Sequence, residues 1–382
     1  MKAIIDVREW QATVDLKTGK PCLINETVAA PLRALASRYP YPGDQNDKGV
    51  DWVTEVARET VKLYNPQFLY LNYNQPIFNG LYRPQQTEQR QQTIKKIFSD
   101  CQSFAEQNNF SLVMVGMGDT VPLQGYISEP RLQGLLMASA WSHYLGGLLK
   151  AEAGDLKLLQ ANEHIAAIIS KEDLASTYQL TADYYKLLPQ HLLIAKEGYS
   201  FKGVFSHNQN MHYTECVQTH LPVYSQIGYS QHIEGLNGLM RNALDNEKKV
   251  LLVVVEGLGE ADFALPYQML NNLRGQIPYN GYSLIHTLAS GEKMECCPLP
   301  PVFDMTAQSE LPRIYPLSMS VQKLPENSIA CRSDLRSAAI GSRSMVTHTA
   351  LNADLNIECY VRSSNNMGVM LVVREDKLAQ LK

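Results

Sequence analysis

"LLVVVEGLGEADF", residues 251–263, decides how this chain is read. Its five leading apolar residues show no alternation of apolar and polar, the pattern of a strand covered on both faces, as at the centre of a parallel sheet. Glu256 follows at once, then a turn built on Gly257 and Gly259, then Glu260 and Asp262. In an open α/β sheet, ligands gather beyond the carboxyl ends of the strands. An acid in that position either holds a ligand or closes a turn, and the rest of the chain has to say which.

Upstream, "VDWVTEVARETVKLY" (50–64) sets Val53, Val56, Ala57, Val61 and Leu63 roughly on one side of a helix. "PQFLYLNYN" (66–74) reads as a strand, "PQQTEQRQQTIKKIFSDCQSFAEQNN" (84–109) as a polar-faced helix, and "FSLVMVGMGDT" (110–120) as a second strand. Strand, helix and strand in this order form the βαβ pattern of a parallel sheet. Residues 131–190 read as mostly helical, 190–201 as a strand, 206–222 as a polar loop rich in histidine, and 233–247 as a helix. Past residue 290, proline-rich stretches give way to "NIECYVRSSNNMGVMLVVRED" (356–376), which reads as a hairpin. The expected fold class is α/β: a mostly parallel sheet sandwiched by helices over residues 1–310, with a helical insertion at about 131–190. Residues 311–382 are expected to form a small β-rich extension or cap.

The bulk numbers limit the function. The chain has 382 residues, 45% hydrophobic and 19% charged, with a formal net charge of -4. Its basic residues are scattered, so no Lys/Arg stripe marks a nucleic-acid backbone as partner. No apolar run approaches the roughly 20 residues that span a bilayer, and Asp6 interrupts "MKAIIDVREW" as a signal core. Seven cysteines are an odd number without framework spacing, which points to reduced thiols and a cytoplasmic protein.

Four candidate strands end in polar groups. They deliver Asn72 and Asn74; Asp119 and Thr120; Glu197; and Glu256, with Glu260 and Asp262 behind it. Both "GLGEAD" and "GMGDTV" begin G-x-G after a strand, but neither carries the third glycine of a dinucleotide fingerprint. An acid before the first glycine would also repel a pyrophosphate. A divalent cation explains the acids better, because such ions take carboxylates and imidazoles converging from several elements. Glu256 and Asp119 supply the carboxylates, and His207, His212 and His220 in "SHNQNMHYTECVQTH" supply candidate imidazoles. For any one of these residues, a turn or surface role is the commoner outcome.

The order of the pieces resembles the alkaline phosphatase superfamily, in particular its nucleotide pyrophosphatase/phosphodiesterase branch. "VLLVVVEGLG" is similar to that family's opening strand, with Glu256 in place of its Asp. The helix and strand ending in Asn74, with Asn79 beyond, look like its Asp-then-His ligand segment, and Gly116–Asp119 stand where its Asp-His-Gly motif belongs. "LPPVFDMTAQS" (299–309) is similar to the stretch that carries its nucleophile, which makes Thr306 the candidate. The resemblance implies a phosphoric-ester (phosphodiester) hydrolase in circularly permuted order. Its site would be one divalent metal (Zn, Mn or Fe) held by Glu256, Asp119, His212 or His207, and Asn74, with Thr306 attacking. Asn at 74 and 79 removes ligands that a two-metal site uses, so the implied enzyme is degenerate or atypical. The alternatives are a non-catalytic binding or assembly protein on the same scaffold and a nucleotide-binding α/β protein. The expected partner is a small phosphorylated molecule or another protein.

Overall fold

The computed structural model describes residues 46–83, 87–129, 131–138, 143–178, 188–201, 211–216, 218–274 and 277–279, shorter pieces at 30–42, 182–185 and 284–291, and strands at 3–6, 13–15, 335–341, 356–360 and 368–374. In chain order the elements begin with β1 (Ala3–Asp6) and β2 (Thr13–Asp15), then α1 (Lys48–Tyr64), β3 (Phe68–Tyr73), α2 (Gln75–Tyr82) and α3 (Thr87–Gln107). Next come β4 (Phe110–Gly116), β5 (Thr120–Pro122), β6 (Gly125–Ile127), β7 (Leu135–Ala138) and β8 (Leu145–Lys150). The middle of the chain supplies α4 (Asp155–Gln160), β9 (Ile165–Ser170), α5 (Lys171–Tyr178), β10 (His191–Ala195), β11 (Tyr199–Phe201), β12 (Tyr213–Glu215) and β13 (His220–Ser225). The remainder is α6 (Gly235–Asp245), β14 (Lys249–Val255), β15 (Gln268–Asn271), β16 (Leu273–Arg274), β17 (Ile277–Pro278), β18 (Leu335–Gly341), β19 (Asn356–Tyr360) and β20 (Gly368–Arg374).

The main sheet has ten strands in the order β15-β13-β4-β14-β3-β20-β18-β19-β1-β2. At its centre β4, β14 and β3 run parallel in unbroken register, Val253 opposite both Met114 and Leu71. Helices cover this trio on both sides. Val53, Val56 and Ala57 of α1, with Ile94, Ile97, Phe98, Cys101 and Phe104 of α3, pack on Leu69, Leu71, Tyr73, Leu251, Val253 and Val255. Leu236, Met240, Ala243 and Leu244 of α6 pack on Phe68, Tyr70, Val113, Val115, Val250, Leu252 and Val254. The helices form because their apolar residues recur at helical spacing. The first stops where Asn65 takes a left-handed φ of 43° and its N–H bonds back to Val61.

Outside the trio the expectation of a mostly parallel, helix-sandwiched sheet is wrong. Five of the nine adjacent pairings are antiparallel: β15 with β13, β13 with β4, β3 with β20, β20 with β18, and β1 with β2. The sheet is mixed, and it is joined by several small sheets. The segment expected to be a helical insertion carries β7, β8 and β9, which with β10 make a four-stranded antiparallel sheet. Its core holds Leu145, Leu148, Ile169, Leu192 and Leu193, with α4 and α5 as short helices against it. Leucine and alanine favour helix locally, and cross-strand packing overrides that preference. The C-terminal strands also differ from expectation. β19 and β20 do not pair as a hairpin; they flank β18 on opposite sides, and β20 lies directly against β3. These three strands therefore extend the main sheet rather than cap it. Among the described residues no helix is long and apolar enough to cross a membrane.

Candidate functional site

The carboxyl ends of β3, β14 and β4 lie side by side at one rim. Backbone bonds carry the register past the strands: Glu256 N–H donates to Tyr73 O at 2.8 Å and Met117 N–H to Val255 O at 3.0 Å. Because Val255 is opposite Tyr73 and Val254 opposite Asn72, the next pair is Glu256 beside Asn74. Side chains alternate along a strand, so Tyr70, Asn72, Asn74, Val254 and Glu256 share the face that α6 covers.

Glu256 is partly buried, and Asn72 Nδ2 donates to its Oε1 at 2.9 Å. Burial pushes its carboxyl up to about 7; the Asn72 bond opposes that rise and the Glu215 carboxylate adds to it. Asn74 is 0% exposed, and neither its Oδ1 nor its Nδ2 has a hydrogen-bond partner among the described residues. It is the N-cap of α2 and yet makes no side-chain cap bond. Asn is among the best N-cap residues because its side-chain oxygen satisfies a free helix N–H, and here that role is not taken up. The Tyr70 hydroxyl, buried on the same strand face, also lacks a partner, and Glu256 is near enough for its charge to raise the phenol further above a pKa already lifted by burial.

The glycine turn has its own structural reason. Gly257 has φ +75°, and a Cβ there would sit 2.5 Å from the backbone N of Ile77. At Gly259 a Cβ would lie 2.0 Å from Asp119 Oδ2. The missing side chain lets Asp119 Oδ1 accept the Gly259 N–H at 3.1 Å. That N–H is the kind of group with which a glycine turn binds a phosphate, and here a carboxylate already takes it.

Asp119 also faces Arg90 of α3, whose Nη2 lies 3.5 Å from its Oδ1; the same guanidinium pairs with Asp262 and bonds the Gly257 carbonyl. Burial raises the Asp119 carboxyl above its ordinary value, Arg90 opposes the rise, and Asp262 adds to it. Glu256 and Asp119 thus share a rim but not a face. Glu256 turns toward the α6 side, and Asp119 turns to a helix of the opposite side. Sequence reading misses Arg90, since a single arginine in a glutamine-rich helix looks like any solvated residue.

His212 is exposed, and its backbone donates to Leu81 O and accepts from Leu123 N, both at 2.9 Å. Three residues on, Glu215 reaches inward instead. It accepts the His143 backbone N–H at 3.0 Å and lies 3.4 Å from His143 Nδ1. Burial alone would depress the His143 pKa; the Glu215 carboxylate outweighs it and holds the imidazole above its ordinary value. His220 is exposed beside Thr219. Asn79 donates to Asp47 Oδ1 at 3.0 Å, a link between α2 and the start of α1. Glu197 accepts from Cys216 Sγ at 3.2 Å, and burial together with that carboxylate pushes the thiol up to about 12, far from a nucleophile. His207 and Thr306 lie outside the described residues.

These placements test the metal expectation on its donor set. Asp119 is held by Arg90 and Gly259, Glu256 by Asn72, and His212 stands at the surface. Among the described residues no three His, Cys, Asp or Glu side chains gather as a metal group would require. The described residues do not bring together the donors of the one-metal site that the resemblance implies, and its candidate His207 lies outside them. Comparison of the chain with models of protein families, with characterised proteins and with solved structures finds no significant match.

Proposed function

We propose that this chain is a binding protein rather than a two-metal hydrolase, and that it takes a small polar ligand over the ends of β3 and β14. Glu256 and Asn74 are the residues that meet the ligand. The observation that carries this reading is Asn74, a completely buried amide with both polar atoms unpaired. Leaving such a donor or acceptor unsatisfied costs about 1–3 kcal/mol, and buried polar groups in proteins are otherwise paired almost throughout. An exception calls for an explanation, and a partner from outside is one. The test is a thermal-shift screen of small polar metabolites on the full chain, repeated with Glu256→Gln and Asn74→Ala. The reading expects compounds that stabilise the wild-type protein and neither variant; a screen in which every hit acts equally on all three proteins overturns it.

A phosphoric-ester hydrolase is the second reading, favoured by two carboxylates, Glu256 and Asp119, that follow the ends of adjacent parallel strands at one rim. It requires a bound cation, and it takes Thr306 as nucleophile. Elemental analysis of protein purified without chelators, paired with phosphodiester turnover by wild type and Thr306→Ala, tests it. Zinc, manganese or iron near stoichiometry and turnover that depends on Thr306 would support it, and their absence would remove it.

A further inference from the structure

The electrostatics around Glu256 narrow the chemistry of the ligand, an inference that rests on the proposed binding role of this rim. Among the described residues, the polar groups placed around Glu256 are Asn72, which bonds it, Asn74, level with it at the end of the neighbouring strand, and Tyr70 and the Glu215 carboxylate, near enough to interact with its charge; none of them is cationic. Two basic groups described near the rim are engaged elsewhere: Arg90 with Asp119, Asp262 and the Gly257 carbonyl, and His143 with Glu215. A buried carboxylate without a counter-charge is costly to ionise. A ligand that brings positive charge removes that cost, and one that brings negative charge adds to it.

Asn74 narrows the choice again. Its amide offers one acceptor oxygen and a donor NH₂, and both are unpaired on the face that carries Glu256. A bare metal ion would satisfy the oxygen and leave the NH₂ without a partner. A phosphate or carboxylate would satisfy the NH₂ but would lie against Glu256 and Glu215. We propose that the site takes a small organic cation, a protonated amine with a hydroxyl or carbonyl oxygen on a neighbouring carbon. The ammonium donates to Glu256 and to Asn74 Oδ1, the ligand's oxygen accepts from Asn74 Nδ2, and the Tyr70 hydroxyl completes the set. No covalent step is involved.

Isothermal titration of the full chain at pH 8 tests this with four probes: 2-aminoethanol, ethylene glycol, inorganic phosphate and magnesium ion. Binding of 2-aminoethanol with no heat from the diol is expected. Glu256→Gln, a near-isosteric change, should weaken that binding by at least about tenfold, the loss expected when a charge-assisted hydrogen bond is removed. Asn74→Ala removes both amide contacts with the ligand and should also weaken the amine by at least about tenfold, which serves as a second readout should Glu256→Gln fold poorly. Binding of phosphate, magnesium ion or diol in a Glu256-dependent way, with none of the amine, overturns the amine assignment and leaves the binding reading standing. If none of the four binds, the amine assignment falls, and the metabolite screen decides the binding reading by itself.

Discussion

Replacing Asn74 with leucine should make this protein more stable. The substitution is close to isosteric, and the backbone at position 74 has a negative φ of -118°, so leucine meets no left-handed penalty there. Two effects have to be weighed. Loss of a working N-cap costs about 1 kcal/mol, but the Asn74 side chain makes no cap bond, so that loss does not arise. Removing an unpaired buried donor and acceptor recovers about 1–3 kcal/mol for a group of this kind, and the new methyl groups add apolar burial. Some of that gain is lost to imperfect fit, which leaves a net stabilisation of about 2 kcal/mol. For chains of 150–250 residues each kcal/mol moves the melting temperature by roughly 2–4 °C; this longer chain should rise by about 3–6 °C. Urea denaturation followed by far-UV circular dichroism measures the free energy, and a thermal melt measures the shift. The matched control is Asn72→Leu. It removes the amide that bonds Glu256 and should cost about 1.5–3 kcal/mol, as expected for a hydrogen bond to a charged group. A drop in stability for Asn74→Leu similar to that control would refute the reasoning, because it would mean the Asn74 amide is satisfied in the free protein.

Three further outcomes come from the same geometry. Glu256 has a folded pKa raised to about 7 from an ordinary 4.5, so the folded state binds the extra proton between those values; stability falls as pH rises across that window, by up to about 3 kcal/mol. Urea titrations at pH 5 and pH 8 should show that difference in wild type and a smaller one in Glu256→Gln; equal pH dependence in both would rule it out. His143 has a folded pKa above its ordinary 6.5, so the stability it contributes with Glu215 is complete below that value and disappears as pH climbs through the raised one; His143→Gln should erase this loss in melts from pH 6 to 9, and a variant that tracks wild type across the range contradicts it. Gly257→Ala should destabilise by at least about 2 kcal/mol, since φ +75° penalises any side chain and the new Cβ meets Ile77; a variant melting within a degree of wild type would show that the turn adapts.

How far the chain can be read depends on the reach of each signal. The helices over 48–64, 87–107 and 235–245 and the strands at 68–73, 110–116 and 249–255 are legible because each carries its own periodicity or unbroken apolar run. Strand direction is not. Nothing local tells β20 to insert against β3, or β13 to turn back along β4, because pairing is decided by packing between segments far apart in the chain. The segment 131–190 misleads for a related reason: "LGGLLK" and "IAAIIS" have helix-compatible composition, and only their partners across the sheet make them strands. At the site, Glu256 and Asn74 are legible as polar residues ending apolar strands. Asp119 is too, though its engagement with Arg90 and Gly259 depends on a helix whose arginine carries no sequence signal. The histidines stand out by their clustering, yet the ionisable side chain of that segment that reaches the buried His143 is Glu215, between them.

The mixed sheet leaves the strand-end site intact, because such a site needs only neighbours. Ligand crevices form where adjacent strands deliver their carboxyl termini to the same rim, and β4, β14 and β3 satisfy that among themselves whatever the outer strands do. The antiparallel neighbours change something else. β20 beside β3 and β13 beside β4 bring strands of opposite direction to both flanks of the trio, so the cluster of strand ends at that rim is three strands wide. A rim this narrow puts Glu256, on the central strand, between the ends of its two neighbours. The lateral neighbours about level with it on its own face are then Asn72 of β3, Asn74 just past that strand and Met117 beyond β4. One of those is an amide already bonded to it and one is a thioether with no charge to offer. The remaining one is Asn74, which is why the unpaired amide and the uncompensated carboxyl are two aspects of one feature, and why a ligand that meets only one of them would leave the other unsatisfied.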